Sequence, residues 1–468
     1  MKVFINTFVF LCLLLLYPFA LYSQSIDGNI FKQRRLNVIN KINDSSIVIF
    51  ESAEIKKRNS DNNFKFKQDA TFQYLTGLTE PKIYFILFKP AITVNNKEFN
   101  EVFFVQEINP MMALYEGDSY SEDEIILISQ ADTVLPQKLF QEVLKNELTK
   151  RKYLYINNND YSLKRDIITD VRYNFFEDRQ NKLNKDYQHI EIKSLFNIIA
   201  NMREIKSKDE LENITKAIQA TSMGLIEAMK SCQPNMYEYE LEAIIEYAFK
   251  KMGCEYYAFP SIIASGNNAK ILHYTKNNRK MESGNLVLMD VGAEFNGYSA
   301  DITRTIPVNG KFTKEQKEIY SIVLHANEEC IKIMKPGISP REIETKAFDL
   351  VANGLKNLGI IKEKKEARTF LPHGVSHNFG LDVHDVSTGN PLREGQVLTI
   401  EPGIYIPQSS KGVPEKYLGI GVRIEDDILI TDSGNIVLSK DVPKSIELIE
   451  KIMIEKGIGN QEIGKYKR

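Results

Sequence analysis

The 468-residue chain has no tryptophan, four cysteines and six histidines. Cys12 lies in an apolar leader, which leaves Cys232, Cys254 and Cys330 for the body of the protein. Three thiols without metal-type spacing do not make a disulfide scaffold, and they are expected in the core. Charge of one sign is lacking too. With 60 basic and 62 acidic residues the net charge is −2, so the basic face of a general nucleic-acid binder is missing. The leader itself runs apolar through Phe10–Leu16 to Ala20 behind Lys2, with Ser23 a small residue suited to cleavage. A signal peptide over residues 1–23 is expected, with export to the periplasm or the exterior and no stable membrane span after cleavage. An uncleaved anchor is the alternative, since the run approaches membrane-spanning length.

The length allows two or three domains. Up to about residue 192 short apolar runs, such as Ser46–Phe50, Ile83–Phe88, Glu101–Val105 and Tyr153–Ile156, alternate with helical patterns over Phe31–Ile42, Leu139–Leu148 and Ile167–Phe175. This alternation indicates an α/β domain. Beyond a boundary near 195 the pattern changes. Ser207-x-x-Glu210 is a capping box that opens a long helix, Pro234 breaks it, and a second helix ends at Gly253. Thr313-x-x-Gln316 and Ser339-Pro340-x-Glu342 open another long and short pair, which ends near Gly359.

Each helix pair is followed by the same apolar hairpin. Leu286–Met289 is a buried strand carrying Asp290, and Phe295-Asn296-Gly297 turns it back toward Asp301. Gly284-x5-Asp290-x-Gly292 recurs as Gly395-x5-Glu401-x-Gly403, and Gly297-x3-Asp301 recurs as Gly421-x3-Glu425. Four acids therefore occupy equivalent positions on two hairpins of a pseudo-twofold domain. Carboxylates at the ends of buried strands are costly to desolvate unless they are paired or bind a cation.

Three of the six histidines, His373, His377 and His384, lie just before the second hairpin, and His273 precedes the first. An oxygen-rich site with one or two imidazoles suits hard or borderline divalent ions, and two ions can share four carboxylates. Such a pair equips a site for hydrolysis.

These motifs resemble the pita-bread metallopeptidases, and within them aminopeptidase P. The resemblance rests on Leu272–Thr275, Met289–Ala293, Ala300–Arg304, His373–His377, Gly380–Asp385, Thr399–Gly403 and Gly421–Glu425, and continues into Arg58–Asp61 and Phe66–Gly77. It implies an α+β chain. An α/β N-terminal domain over 24–195 precedes a C-terminal pita-bread domain over 196–468, built of pseudo-twofold helix-helix-hairpin halves. It further implies two divalent ions held by Asp290, Asp301, His377, Glu401 and Glu425. Manganese is the usual metal, with cobalt, zinc or iron as alternatives. Glu401 would also shuttle a proton. His273 and His384 would act catalytically on the substrate and the tetrahedral intermediate, His373 would line the proline side, and Arg423 would orient a ligand or substrate.

The expected activity is release of the N-terminal residue from peptides with proline second, by a homo-oligomer, dimer or tetramer. The same site in a prolidase would cleave Xaa-Pro dipeptides, and a non-catalytic pita-bread interaction module is a remoter alternative. Two residues depart from the family pattern. Tyr115 stands where tryptophan is common, and Asn378 stands where an aromatic side chain is common, which suggests an altered pocket shape.

Overall fold

The structure, a computed structural model, describes residues 27–107, 110–117, 119–157 and 187–461. The leader, the helix expected over 167–175 and most of the 157–160 turn lie outside these residues. Among the described residues no helix is long and apolar enough to cross a membrane.

The first part of the chain comprises α1 (Gly28–Lys41), β1 (Ser46–Glu51), α2 (Ala70–Thr76), β2 (Tyr84–Val94), β3 (Lys97–Val105), α3 (Pro110–Glu116), α4 (Glu122–Ser129), β4 (Val134–Pro136), α5 (Phe140–Leu148), β5 (Tyr153–Ile156), β6 (Glu191–Ser194) and α6 (Phe196–Arg203). The strands form one mixed sheet in the order β4-β3-β2-β1-β5-β6. β2 pairs antiparallel with β1 and β3, while β1–β5, β5–β6 and β3–β4 are parallel. Phe50, Phe85 and Phe103 stack across neighbouring strands, with centroids 4.5 and 5.0 Å apart. Such cross-strand aromatic contacts fix the register of a sheet.

The second part begins with α7 (Lys208–Ser231) and α8 (Glu238–Lys251). Ser207 and Glu210 complete the anticipated capping box, and Gly253 follows α8 at φ +86°. β7 (Tyr256–Tyr257), β8 (Ile262–Ser265) and the first acid hairpin come next. That hairpin has two tiers: β9 (Leu286–Val291) pairs with β12 (Ile302–Pro307), and β10 (Ala293–Phe295) pairs with β11 (Tyr298–Ser299). Asn296 at φ +49° and Gly297 at +81° close it in the left-handed geometry of a two-residue turn. Gly292 is obligatory where the tiers meet, because a Cβ there would stand 1.9 Å from the Ala300 carbonyl oxygen.

α9 (Lys314–Ile333) and α10 (Pro340–Asn357) repeat the helix pair behind capping boxes at Thr313 and Ser339. The second hairpin is tiered like the first. β13 (Val397–Ile400) pairs with β16 (Asp426–Ile430), and β14 (Gly403–Tyr405) pairs with β15 (Gly421–Arg423). β17 (Asn435–Val437) extends it, and α11 (Ile446–Ile452) follows.

The two parts are joined by polar contacts as well as by apolar packing. Gln73 donates to the Asn296 carbonyl at 3.1 Å, and buried Arg34 meets Glu210 at 2.9 Å. Arg203, at the end of α6, reaches Thr71 at 3.1 Å on one side and Asp385 at 2.5 Å on the other.

Candidate metal centre

The two hairpins meet between β12 and β15. Thr305 donates to the Arg423 carbonyl at 3.0 Å, and the Glu425 amide donates to the Thr303 carbonyl at 3.1 Å. Each acid sits at or beside the break between its tiers, where a strand end frees the side chain to point into the seam. His377 arrives from a third segment. Thr399 and Glu401 donate their amides to the His377 and Val375 carbonyls, both at 2.9 Å, which lays the histidine along β13 beside Glu401.

The result is a compact donor set. Asp301, His377 and Glu425 each offer an atom within 4.8 Å of the others. His377 Nε2 lies 3.5 Å from both Asp301 Oδ2 and Glu401 Oε1. Asp290 adjoins the set and is gripped by Arg423 Nη2 through its Oδ2. Its other oxygen, Oδ1, is buried without a protein hydrogen-bond partner.

Electrostatics show what the cluster needs. Burial first, then Glu425, Asp290 and the other acids, drive the Asp301 carboxyl well above its ordinary range. Burial, Glu401 and Asp290 do the same to Glu425. Glu401 is pushed up to about 8, mainly by burial. The His377 ring is pushed down to about 3 by burial and by His384, so it is neutral. Its Nδ1 lies 3.1 Å from the Asn378 carbonyl, which assigns the proton there and leaves the Nε2 lone pair facing the acids. Several buried carboxyls, an unpartnered Asp290 oxygen and a neutral imidazole turned toward them fit hard divalent cations.

The remaining predicted residues surround this set. His384 is exposed and packs its ring 4.1 Å from that of His377. His373 Nδ1 is 3.7 Å from Glu401 Oε2, and burial lowers its ring to about 4. His273 is exposed and close enough for its charge to depress that of His373. Arg423 is buried and committed to protein: besides Asp290 it donates to the Tyr405 hydroxyl at 2.8 Å and to Thr303 Oγ1 at 3.2 Å.

Asn378 does not shape a pocket through its side chain. It is buried and turned to the Val386 carbonyl at 2.9 Å and to Glu204 at 3.4 Å. The departure at this position therefore falls on the packing behind His377.

Three residues were missed by sequence reasoning. Tyr405 OH bridges Arg423 and His373 Nε2, the latter at 2.9 Å. Thr303 donates its hydroxyl to Glu425 Oε2 at 2.7 Å, and Asp427 Oδ2 accepts the Asp301 amide at 3.2 Å. The run Glu425-Asp426-Asp427 was a visible signal for the last of these. Thr303 gains its role only when the hairpins meet, and Tyr405 only when strand pairing within the second hairpin and the His373 segment bring its partners together.

Known proteins resemble this chain over most of its length. Residues 212–432 match metallopeptidase family M24, and residues 31–155 match the aminopeptidase P N-terminal domain. The chain is 36% identical to an Xaa-Pro aminopeptidase of Haemophilus influenzae, over 92% of its own length and 99% of the relative's. The chain belongs to the aminopeptidase P branch of metallopeptidase family M24. Its fold superposes on aminopeptidase P of E. coli with the inhibitor Pro-Leu at a TM-score of 0.82, with 34% identity, 92% of this chain and 99% of that one covered. A zinc-substituted E. coli aminopeptidase P in complex with product gives 0.81 at 34% identity, with the same coverage. This member of the branch is a hydrolase and a metal-dependent peptidase.

Proposed function

We propose that this M24 peptidase releases the N-terminal residue from peptides with proline in second position. The observation that carries the proposal is the set of Asp301, His377 and Glu425 within 4.8 Å, flanked by Asp290 and Glu401 at a seam that neither hairpin forms alone. The relative named Xaa-Pro aminopeptidase and the neighbour solved with Pro-Leu support the substrate class.

Asp290, Asp301, His377, Glu401 and Glu425 would hold two divalent ions, with manganese the metal we propose. When bound, such ions polarise a carbonyl oxygen and acidify water enough for attack at neutral pH. Glu401 is suited to move the proton. Once ions displace its proton, the Glu401 carboxylate, 3.5 Å from His377 Nε2, can take a proton from the attacking water and return it to the proline nitrogen as the peptide bond breaks. That bond exchanges C–N for C–O, and the released proline nitrogen leaves as an amine. To His384, whose ring packs 4.1 Å from that of His377, and to His273, both exposed, we assign donation to the oxygen that gains charge. His373, held by Tyr405 and the Gly374 carbonyl, offers a rigid wall on the proline side.

A prolidase needs a group that captures the proline carboxylate. Arg423, the candidate for that role, is buried and engaged by Asp290, Tyr405 and Thr303, which favours the aminopeptidase. The test compares Xaa-Pro-Yaa with Xaa-Pro at matched metal loading. Free N-terminal residue and intact Pro-Yaa are expected, whereas hydrolysis of the dipeptide alone would overturn the proposal.

A further inference from the structure

Asn327 lies in the middle of α9, wholly buried, and its side chain is directed at both acid-bearing strands of the second hairpin. Its Nδ2 donates to the Ile400 carbonyl at 3.0 Å and to the Ile424 carbonyl at 3.4 Å. Ile400 immediately precedes Glu401, and Ile424 immediately precedes Glu425. A peptide unit is planar, so gripping a carbonyl also fixes the amide nitrogen and Cα of the next residue. Those two peptides are held on their other edge as well, the Glu401 amide by the Val375 carbonyl and the Glu425 amide by the Thr303 carbonyl. Both acids therefore leave the backbone in directions set by one amide side chain.

The remaining acceptor of Asn327 closes a ring around the same site. Lys444 Nζ donates to Asn327 Oδ1 at 2.8 Å and to Asp426 Oδ2 at 2.6 Å. Asp426 Oδ1 accepts from Arg304 Nη2 at 2.7 Å, and Arg304 Nη1 returns to the Glu425 carbonyl at 2.5 Å. Asparagine alone supplies this combination of two amide donors and a neutral acceptor at that length. Alanine would leave two carbonyls and an ammonium short of a partner in the core.

An independent observation comes from the repeat. Asn327 stands fourteen residues after its N-cap Thr313, and Thr221 stands fourteen after its N-cap Ser207. Thr221 is also wholly buried and also reaches its own hairpin, accepting the Ala293 amide at 2.9 Å. Each long helix thus places one buried polar side chain against the acid hairpin of its half. The second half uses an amide where two strands must be held at once.

We infer that Asn327 is a positioning residue of the metal centre, setting Glu401 and Glu425 at the spacing that divalent ions require. This inference rests on the metallopeptidase function proposed above. The test is calorimetric titration of metal-stripped protein with manganese, alongside kcat, KM and thermal unfolding, for wild type, Asn327→Ala, Asn327→Asp and Cys330→Ala. Outer-sphere partners of metal ligands are typically worth about 10–100-fold in affinity or activity. Both Asn327 variants are expected to lose about that much manganese affinity, with lower kcat at saturating metal and KM within about twofold. Asn327→Asp keeps the volume and the acceptor for Lys444, so it carries the test if Asn327→Ala fails to fold. Cys330→Ala, a buried change one turn along the same helix, is expected to lower thermal stability while metal affinity holds. Wild-type manganese affinity in Asn327→Asp, with only a lower melting temperature, would overturn the inference. A wild-type protein that takes up no divalent ion would overturn both the inference and the proposed function.

Discussion

Arg423, on the second hairpin, closes on the carboxylate of Asp290, on the first. The contact crosses the pseudo-twofold axis, so each half of the domain completes the other's share of the centre. A lysine cannot replace the fork that serves Asp290, Tyr405 and Thr303 together. Arg423→Lys and Arg423→Ala should each lower metal affinity or kcat by about 10–100-fold. Equilibrium metal titration and steady-state kinetics check this. An Arg423→Lys protein indistinguishable from wild type would show that the fork is dispensable.

Metal uptake should release protons. Without a cation, Asp301 and Glu425 titrate well above their ordinary 3.8 and 4.5, and Glu401 titrates near 8. These carboxyls therefore hold more protons in the native metal-free protein than in the unfolded chain, and above about pH 6.5, where His373 and His377 are neutral in both states, the two rings no longer offset them. The stability of the metal-free protein should fall as pH rises above that value, while the metal-loaded protein is spared. Calorimetry at pH 6.5 in buffers of different ionisation enthalpy should show proton release, and the melting-temperature gap between loaded and stripped protein should widen toward pH 8. Titrations independent of the buffer would contradict the protonated cluster.

A second pH effect has the opposite sign. Burial opposes charge on Asp385, but Arg203 at 2.5 Å and Lys206 at 2.7 Å outweigh it and hold the carboxyl below its ordinary 3.8. The stability from this pair is fully present above that ordinary value and is lost as pH falls through the depressed one. Asp385→Asn leaves buried Lys206 without its carboxylate and Arg203 with only the half-exposed Asp382 at 2.9 Å, at a cost of about 3–5 kcal/mol at pH 7. Urea unfolding at pH 7 and pH 3 should show the wild-type advantage shrinking in acid. An equal difference at both pH values would mean that the loss comes from packing. Asp385 also accepts the Val386 amide at 2.8 Å and follows His384, so the variant should have a lower kcat as well.

Much of this molecule was legible in order along the chain. Ser207, Thr313 and Ser339 cap the helices that their motifs announced, and Asn296-Gly297 turns the first hairpin as a left-handed pair. Local signals suffice for such features, because a cap or a turn is decided within a few residues. The tiering of the hairpins was not legible, since it depends on Gly292 meeting the Ala300 carbonyl across the ladder. α2 went unassigned as a helix. Seven residues are too few to show a period, and its end depends on Gly77 at φ +70°. Nor could sequence give the partners of Arg423 or Asn327. Asn327 is held by segments more than seventy residues away, and Arg423 joins Tyr405 of its own hairpin to Asp290 and Thr303 of the other, which only the pseudo-twofold assembly brings near.

Asp301 stands at the middle of the cluster, facing His377, Glu425 and the other acids. The most direct test is therefore the metal content of wild type and Asp301→Ala after dialysis against manganese and passage through a desalting column. Two ions per chain are predicted for the wild type, and less than one for the variant, with activity lost in parallel. Two tightly held ions in folded Asp301→Ala would contradict the assignment of this seam as the metal centre.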